Sequence, residues 1–165
     1  MTTPSVPPSQ DHHFLSTHFT LEEATFSKTA LRLGITNQPT PAELEVMRKA
    51  AIGMERVRAL LGNKAISISS WLRGYALNLA VGGKESSQHR KGEAIDFNCF
   101  SFGSPLKICQ VIARNADLIR FDQLILEPSW VHISFAVVSR KVPRKQVLTI
   151  TPDGKAHPGL VYYKY

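Results

Sequence analysis

Between Ser87 and Phe97 the chain reads Ser-Gln-His-Arg-Lys-Gly-Glu-Ala-Ile-Asp-Phe, with His89 and Asp96 on either side of Gly92. Imidazole nitrogen and carboxylate oxygen are both zinc ligands. Three protein ligands with an open fourth position make a catalytic site rather than a structural one. If Glu93–Phe97 is a short strand, Asp96 points to the same face as Ala94, because side chains alternate along a strand. Ala94 is small and leaves room beside a metal. His89 then sits on the loop entering the strand, and a third ligand has to come from elsewhere.

His132 is the best candidate for that ligand. Phe121–Glu127 and Trp130–Val138 have the composition of two strands joined by Pro128-Ser129. A two-residue loop pairs Glu127 with Trp130, Ile125 with His132 and Gln123 with Ser134, and paired residues share a face. One face then carries Gln123, Ile125, Glu127, Trp130, His132 and Ser134. The other carries Leu124, Leu126, Val131, Ile133 and Phe135, all apolar, and is the expected core. The polar face becomes a site wall, with Glu127 a diagonal neighbour of His132. A carboxylate there suits a general base that takes a proton from a metal-activated water. Arg73 suits a substrate carboxylate or a developing oxyanion, since guanidinium binds oxygen pairs bidentately. Blander readings stand beside these. A lone strand histidine is often a hydrogen-bonded structural residue, Asp96 could cap a turn, and Arg73 could be a surface charge. Spacing alone leaves the choice open.

The elements that must position these residues show in the hydrophobic pattern. Thr20-Leu21-Glu22-Glu23 is a capping box that opens a first helix, with Gly34 as its stop. Thr40, Pro41 and Glu43 open a second and longer helix whose apolar residues, from Leu44 to Leu61, recur mostly at three- and four-residue steps and end at Gly62. Ala65–Ser69 alternates as a half-buried strand does. Ser104-Pro105 caps a third helix running to about Ala116. Gln146–Thr151 and Leu160–Tyr163 are expected closing strands around the turn Pro152-Asp153-Gly154. Helices first and strands after predict an α+β fold, with N-terminal helices packed on a small antiparallel β-sheet. Residues 1–17 have no period and are expected to be a flexible tail. The histidines His12, His13 and His18 fall there or just after, and residues 18–165 are expected to form a single domain.

Composition sets outer limits. The 165 residues suffice for one domain, and 43% hydrophobic content is that of a folded protein. No apolar run approaches the ~20 residues of a membrane helix. Met1–Gln10 lacks the basic start and apolar middle of a secretory signal, so synthesis in the cytoplasm is expected, with release or export by another route if the substrate lies outside. Cys99 and Cys109 are too few for a disulfide scaffold and are expected to be buried thiols, a bridge between them being the minor option. The net charge of +7 favours polyanions, whether nucleic acid, anionic lipid or envelope polymers. The densest basic run, Arg140-Lys141-Val142-Pro143-Arg144-Lys145, is either a solvated loop or a binding patch. His157, before Pro158-Gly159, reads as an ordinary loop histidine.

The motif Ser87-x-His89-x-x-Gly92-x-Ala94-x-Asp96 resembles the metal motif of the zinc D-alanyl-D-alanine carboxypeptidase-like peptidases, a group that includes many phage endolysins. Further blocks resemble that family in order: Phe19-Thr20-Leu21, Gly34-Ile35-Thr36-Asn37, Arg58–Gly62, Arg73 five before Asn78, Ala80–Gly83, Phe121–Ile125 and Trp130–Ser134. The resemblance covers roughly residues 18–151. It implies one zinc ion per chain on His89, Asp96 and His132, Arg73 and Ser87 in substrate binding, and peptidoglycan peptides as substrate. Gln123 and Trp130 on the same wall are further substrate-binding candidates, and a monomer is expected. Two departures stand out. Many members keep an acid three residues before the last histidine, where this chain has Ser129, and the hairpin argument assigns the base to Glu127 instead. Trp71-Leu72 stands where a glycine and a tyrosine are usual. The expectation is a zinc peptidase of the bacterial cell wall, of the phage lysis type. The alternative is a catalytically silent zinc-containing wall-binding module. Nucleic-acid binding through residues 140–145 has no recognised motif behind it.

Overall fold

The computed structural model describes residues 13–163. Two short helices, α1 (Leu21–Thr25) and α2 (Lys28–Leu33), precede the long α3 (Pro41–Leu60). Both predicted capping boxes form: Thr20 accepts from the Glu23 amide and Thr40 from the Glu43 amide, with each glutamate reaching back. The single helix expected from Thr20 to Gly34 is instead split. Ser27 accepts from the Ala30 amide and restarts the chain as α2, and exposed Phe26 lies between the two pieces. Chain packing begins before residue 18. Leu15 is buried, Ser16 donates to Glu55, and the ring of His18 pairs with the same carboxylate. His13 pairs with Glu22, while His12 lies outside the described residues.

Among the described residues, six strands make one sheet in the order β1 (Ser67–Ser70), β2 (Ala94–Asn98), β4 (Val131–Ser134), β3 (Gln123–Leu126), β5 (Gln146–Ile150) and β6 (Ala156–Pro158). All pairings are antiparallel except β3 with β5, which is parallel. The fold is α+β, as the order of elements predicted. The closing strand lies at Ala156–Pro158 rather than at Leu160–Tyr163. Pro158 is tolerated there because β6 is an edge strand. Between β1 and β2 lie two elements the hydrophobic pattern did not announce, α4 (Tyr75–Ala80) and a 3-10 turn at Gln88–Lys91. The third predicted helix ends early, as α5 (Pro105–Arg114), and a short α6 (Ala116–Ile119) follows.

One face of the sheet is the core. Ile95, Phe97, Leu124, Val131 and Ile133 are fully buried on it, together with Met47, Met54 and Val57 of α3 and Ile108 and Ile112 of α5. Gly53 lets α3 pack against the residue that follows β4: a Cβ built there would stand 2.4 Å from the Phe135 ring. Cys99 and Cys109 are both free and buried, and burial pushes the Cys109 thiol up to about 12. No helix among the described residues is long and apolar enough to cross a membrane.

Candidate metal centre and substrate groove

The opposite face of the sheet carries a row of residues set side by side by strand register. Ser70 of β1 lies opposite Asp96 of β2, Asp96 opposite His132 of β4, and His132 opposite Ile125 of β3. Directly opposed residues hold their Cβ atoms about 5 Å apart, so Asp96 and His132 meet by construction. The hairpin register is the one expected from a two-residue loop, and the Glu127 amide donates to the Trp130 carbonyl at 3.1 Å.

His89 reaches the row from the 3-10 turn. Ser87 accepts from its amide at 3.3 Å and caps that turn. Gly92 closes it at φ +75°, a conformation that favours glycine, and a Cβ there would stand 2.5 Å from Met47 Cγ of α3. Trp71 holds the turn from below. Its indole Nε1 donates to the Gly92 carbonyl at 2.8 Å, and its own carbonyl accepts from His89 Nδ1 at 2.7 Å. The Arg73 amide donates to the His89 carbonyl at 3.0 Å. Buried Asn37 steadies this segment by donating to the Leu72 carbonyl and accepting from the Gly74 amide. The Trp71 carbonyl therefore orients His89, and its indole holds the turn that carries it. Neither Trp71 nor Asn37 was singled out for such a role by residue type, because their contacts run through backbone atoms.

The carbonyl of Trp71 can only accept, so His89 Nδ1 carries the proton and Nε2 presents a lone pair. That Nε2 is buried, has no hydrogen-bond partner among the described residues, and lies 3.3 Å from Asp96 Oδ1. His132 Nδ1 approaches the same oxygen at 2.8 Å. Burial, which outweighs the neighbouring carboxylate, holds the His89 imidazolium well below the usual histidine range. Burial alone would raise the Asp96 carboxyl. The two histidines set against it, with the hydrogen bond from His132, overcome this and hold it far below the ordinary carboxylate range. An ionised oxygen and a neutral imidazole lone pair thus face each other in a buried space, an arrangement that a cation relieves. One donor atom each from His89, Asp96 and His132 lies within 4.8 Å of the others, so the three can hold a metal ion.

Arg73 donates from Nη2 to Asp96 Oδ2 at 2.8 Å and from Nε to Ser70 Oγ at 2.9 Å, which leaves three of its five N–H groups for other partners. Arg73, His89, Asp96 and His132 line a groove of about 760 Å³ that also takes in Ser87, Gln123, Glu127 and Trp130. Gln123 donates to Gln146 at 2.7 Å. Glu127 is half-buried. Burial first, and the Asp96 charge second, raise its carboxyl above the ordinary value, against the opposing pull of His132. All the residues singled out in the sequence therefore border one groove, while His13, His18 and His157 lie outside it.

A three-donor cluster on the floor of a groove, carried by a helix-backed and mostly antiparallel sheet, is the layout of a metal-dependent hydrolase. The family model described as Peptidase M15 matches residues 17–134, and the chain belongs to that zinc D-Ala-D-Ala carboxypeptidase-like family. Membership makes it a peptidase, a hydrolase of the metalloprotease kind acting on peptidoglycan-type substrates. The family is typically zinc-dependent. No match was found among curated proteins.

Proposed function

We propose that the chain is a zinc-dependent peptidase that cuts peptide bonds in the stem or cross-bridge of bacterial peptidoglycan, in the manner of a phage-type lysis enzyme. The observation carrying this reading is the buried, unpartnered Nε2 of His89 facing Asp96 and His132 within the segment that matches the family. His89, Asp96 and His132 hold the metal, one per chain, in a single domain that takes in the packed residues before His18 as well. Zinc at such a site supplies Lewis-acid polarisation of a carbonyl and acidifies water.

The chain's own groups supply the rest. Glu127 takes the proton of the attacking water and returns it to the leaving amine, at a carboxyl that burial raises above its ordinary value. Arg73, fixed on Ser70 and Asp96, offers its remaining N–H groups to a substrate carboxylate or to the oxyanion. Ser87 keeps the His89 turn closed, and Gln123 and Trp130 bound the peptide's path. The net charge of +7 suits retention on an anionic wall.

The test is to incubate purified protein with peptidoglycan, with chelator and with added zinc, and to identify released fragments by mass spectrometry. Zinc-dependent fragments are expected, and their masses name the bond. A folded, zinc-loaded protein that releases nothing overturns catalysis in favour of a silent wall-binding module.

A further inference from the structure

The groove has two unlike ends. Along the polar face of β3 and β4, the hairpin end carries Glu127 and Trp130, and the row containing His132 and Ile125 crosses the middle. The far end carries Gln123 and the loop of residues 136–145. That loop holds four cations, Arg140, Lys141, Arg144 and Lys145. It is pinned from beneath by two fully buried carboxylates. Glu93 Oε1 accepts from the amides of Val137, Val138 and Ser139 at 2.9, 2.6 and 2.9 Å. Asp122 accepts from Arg144 Nε at 3.0 Å and Nη2 at 2.7 Å, and Arg140 Nε lies 3.5 Å from it. The Gln88 amide nitrogen lies within hydrogen-bond distance of Glu93, Asp122 and Ser139 at once, which ties the loop to the His89 turn.

Two guanidiniums share Asp122, and the Glu93 carboxylate is met inside the loop by backbone amides, so Arg140 and Arg144 both border the groove from a loop held in place. Lys84 and Lys91 border the same groove without an ion-pair partner among the described residues. The carboxylates that border it are Asp96, already held by Arg73, and Glu127 at the other end.

We infer that the Arg140 end of the groove is a subsite for a free carboxylate on the substrate peptide, on the side of the metal centre away from Glu127. The inference rests on the peptidase reading above. Two residues of β3, from Ile125 to Gln123, span about 7 Å, so the recognised carboxylate sits one or two residues from the bond cut. In a wall peptide that group is the free α-carboxylate of an isoglutamyl residue or the side-chain carboxylate of a diamino diacid.

The experiment compares synthetic stem peptides in which each of these carboxylates is free or amidated. Hydrolysis is measured with the zinc-loaded protein and its Arg140→Gln, Arg140→Lys and Lys84→Gln variants, each checked by circular dichroism. Binding of the same peptides to the Glu127→Gln variant is measured by fluorescence anisotropy. Amidation at one of the two positions is expected to cost about tenfold in kcat/KM, mostly through KM, and that position names the carboxylate. Arg140→Gln should narrow the preference to within about twofold, Lys84→Gln should narrow it less, and Arg140→Lys should keep most of it. Equal hydrolysis of acid and amides by the parent protein overturns the subsite, as does full discrimination by Arg140→Gln. If no peptide is cut, the peptidase reading fails. A free-acid preference in anisotropy then still supports the subsite, and its absence overturns it.

Discussion

Glu127 is the residue on which the proposed chemistry is most exposed to test. It stands five residues before His132, not three, and reaches the metal centre's side of the sheet because the Pro128-Ser129 loop fixes the hairpin register. A base must be ionised to accept a proton, and burial together with the Asp96 charge raises this carboxyl above the ordinary glutamate value. The acid limb of kcat/KM should therefore follow the titration of this carboxyl, with activity lost as pH falls and the base becomes protonated. Glu127→Gln should remove the limb and lower kcat about 10²- to 10⁴-fold, with the bound zinc retained. A pH–rate profile and a metal assay on both proteins check this. A variant of undiminished rate would return the base role to another group. The same sign applies to stability: a carboxyl whose pKa is raised on folding disfavours the fold once ionised, so the variant should be slightly more stable at neutral pH.

At the level of elements, the metal centre depends on how the 3-10 turn is clasped. Gly92 serves it twice, by its positive φ and by the absence of a Cβ against Met47. Gly92→Ala should cost about 3 kcal/mol, the sum of the left-handed penalty and overpacking against Met47, seen as a fall of about 10 °C in Tm. Trp71→Phe keeps the carbonyl that holds His89 but loses the indole bond to Gly92. A loss of about tenfold in zinc affinity, measured by competition with a chromogenic chelator, is the expected result. An affinity equal to that of the parent would show that the backbone alone orients the turn. The sequence carries some of these elements openly and others not at all. The β3–β4 register was legible because alternation and a two-residue loop each fix it, and they agree. The capping boxes mark α1 and α3 because the same residues satisfy otherwise unpaired amides wherever a helix begins. The α4 helix was not legible: six residues, no side-chain cap at Gly74 and exposed Tyr75 and Leu79 leave no amphipathic stripe. Pro158 hid β6, and the break at Phe26-Ser27 was masked by apolar residues on both sides that fit one helix equally well.

At the level of the whole molecule, two buried carboxylates join the half of the chain that carries His89 to the half that carries the basic loop. The sequence gives no sign of the part Glu93 and Asp122 play, since an acid between Gly92 and Ala94, or between Phe121 and Gln123, looks like any strand-edge charge. In the fold both are fully buried. Burial works to raise the Glu93 carboxyl, yet the amides of Val138 and Ser139, with the Ser139 and Gln88 side chains, bring it below the ordinary value. Asp122 is brought below its ordinary value against burial by Arg144, with help from Arg140. A carboxyl whose pKa is lowered on folding contributes stability that is present above its unfolded pKa and is lost as pH falls through its folded pKa. Both groups have that sign, so the protein should be most stable near neutrality and lose stability from about pH 4 downward. Glu93→Gln should remove the charge that gathers three backbone amides, costing on the order of 3 kcal/mol at pH 7. Because the variant has no carboxyl left to protonate there, its stability should fall less steeply with acid, and the two curves should converge at low pH. Thermal melts of both proteins from pH 3 to pH 8 test this. Parallel curves would mean that the amides of residues 137–139 are held by something other than the Glu93 charge.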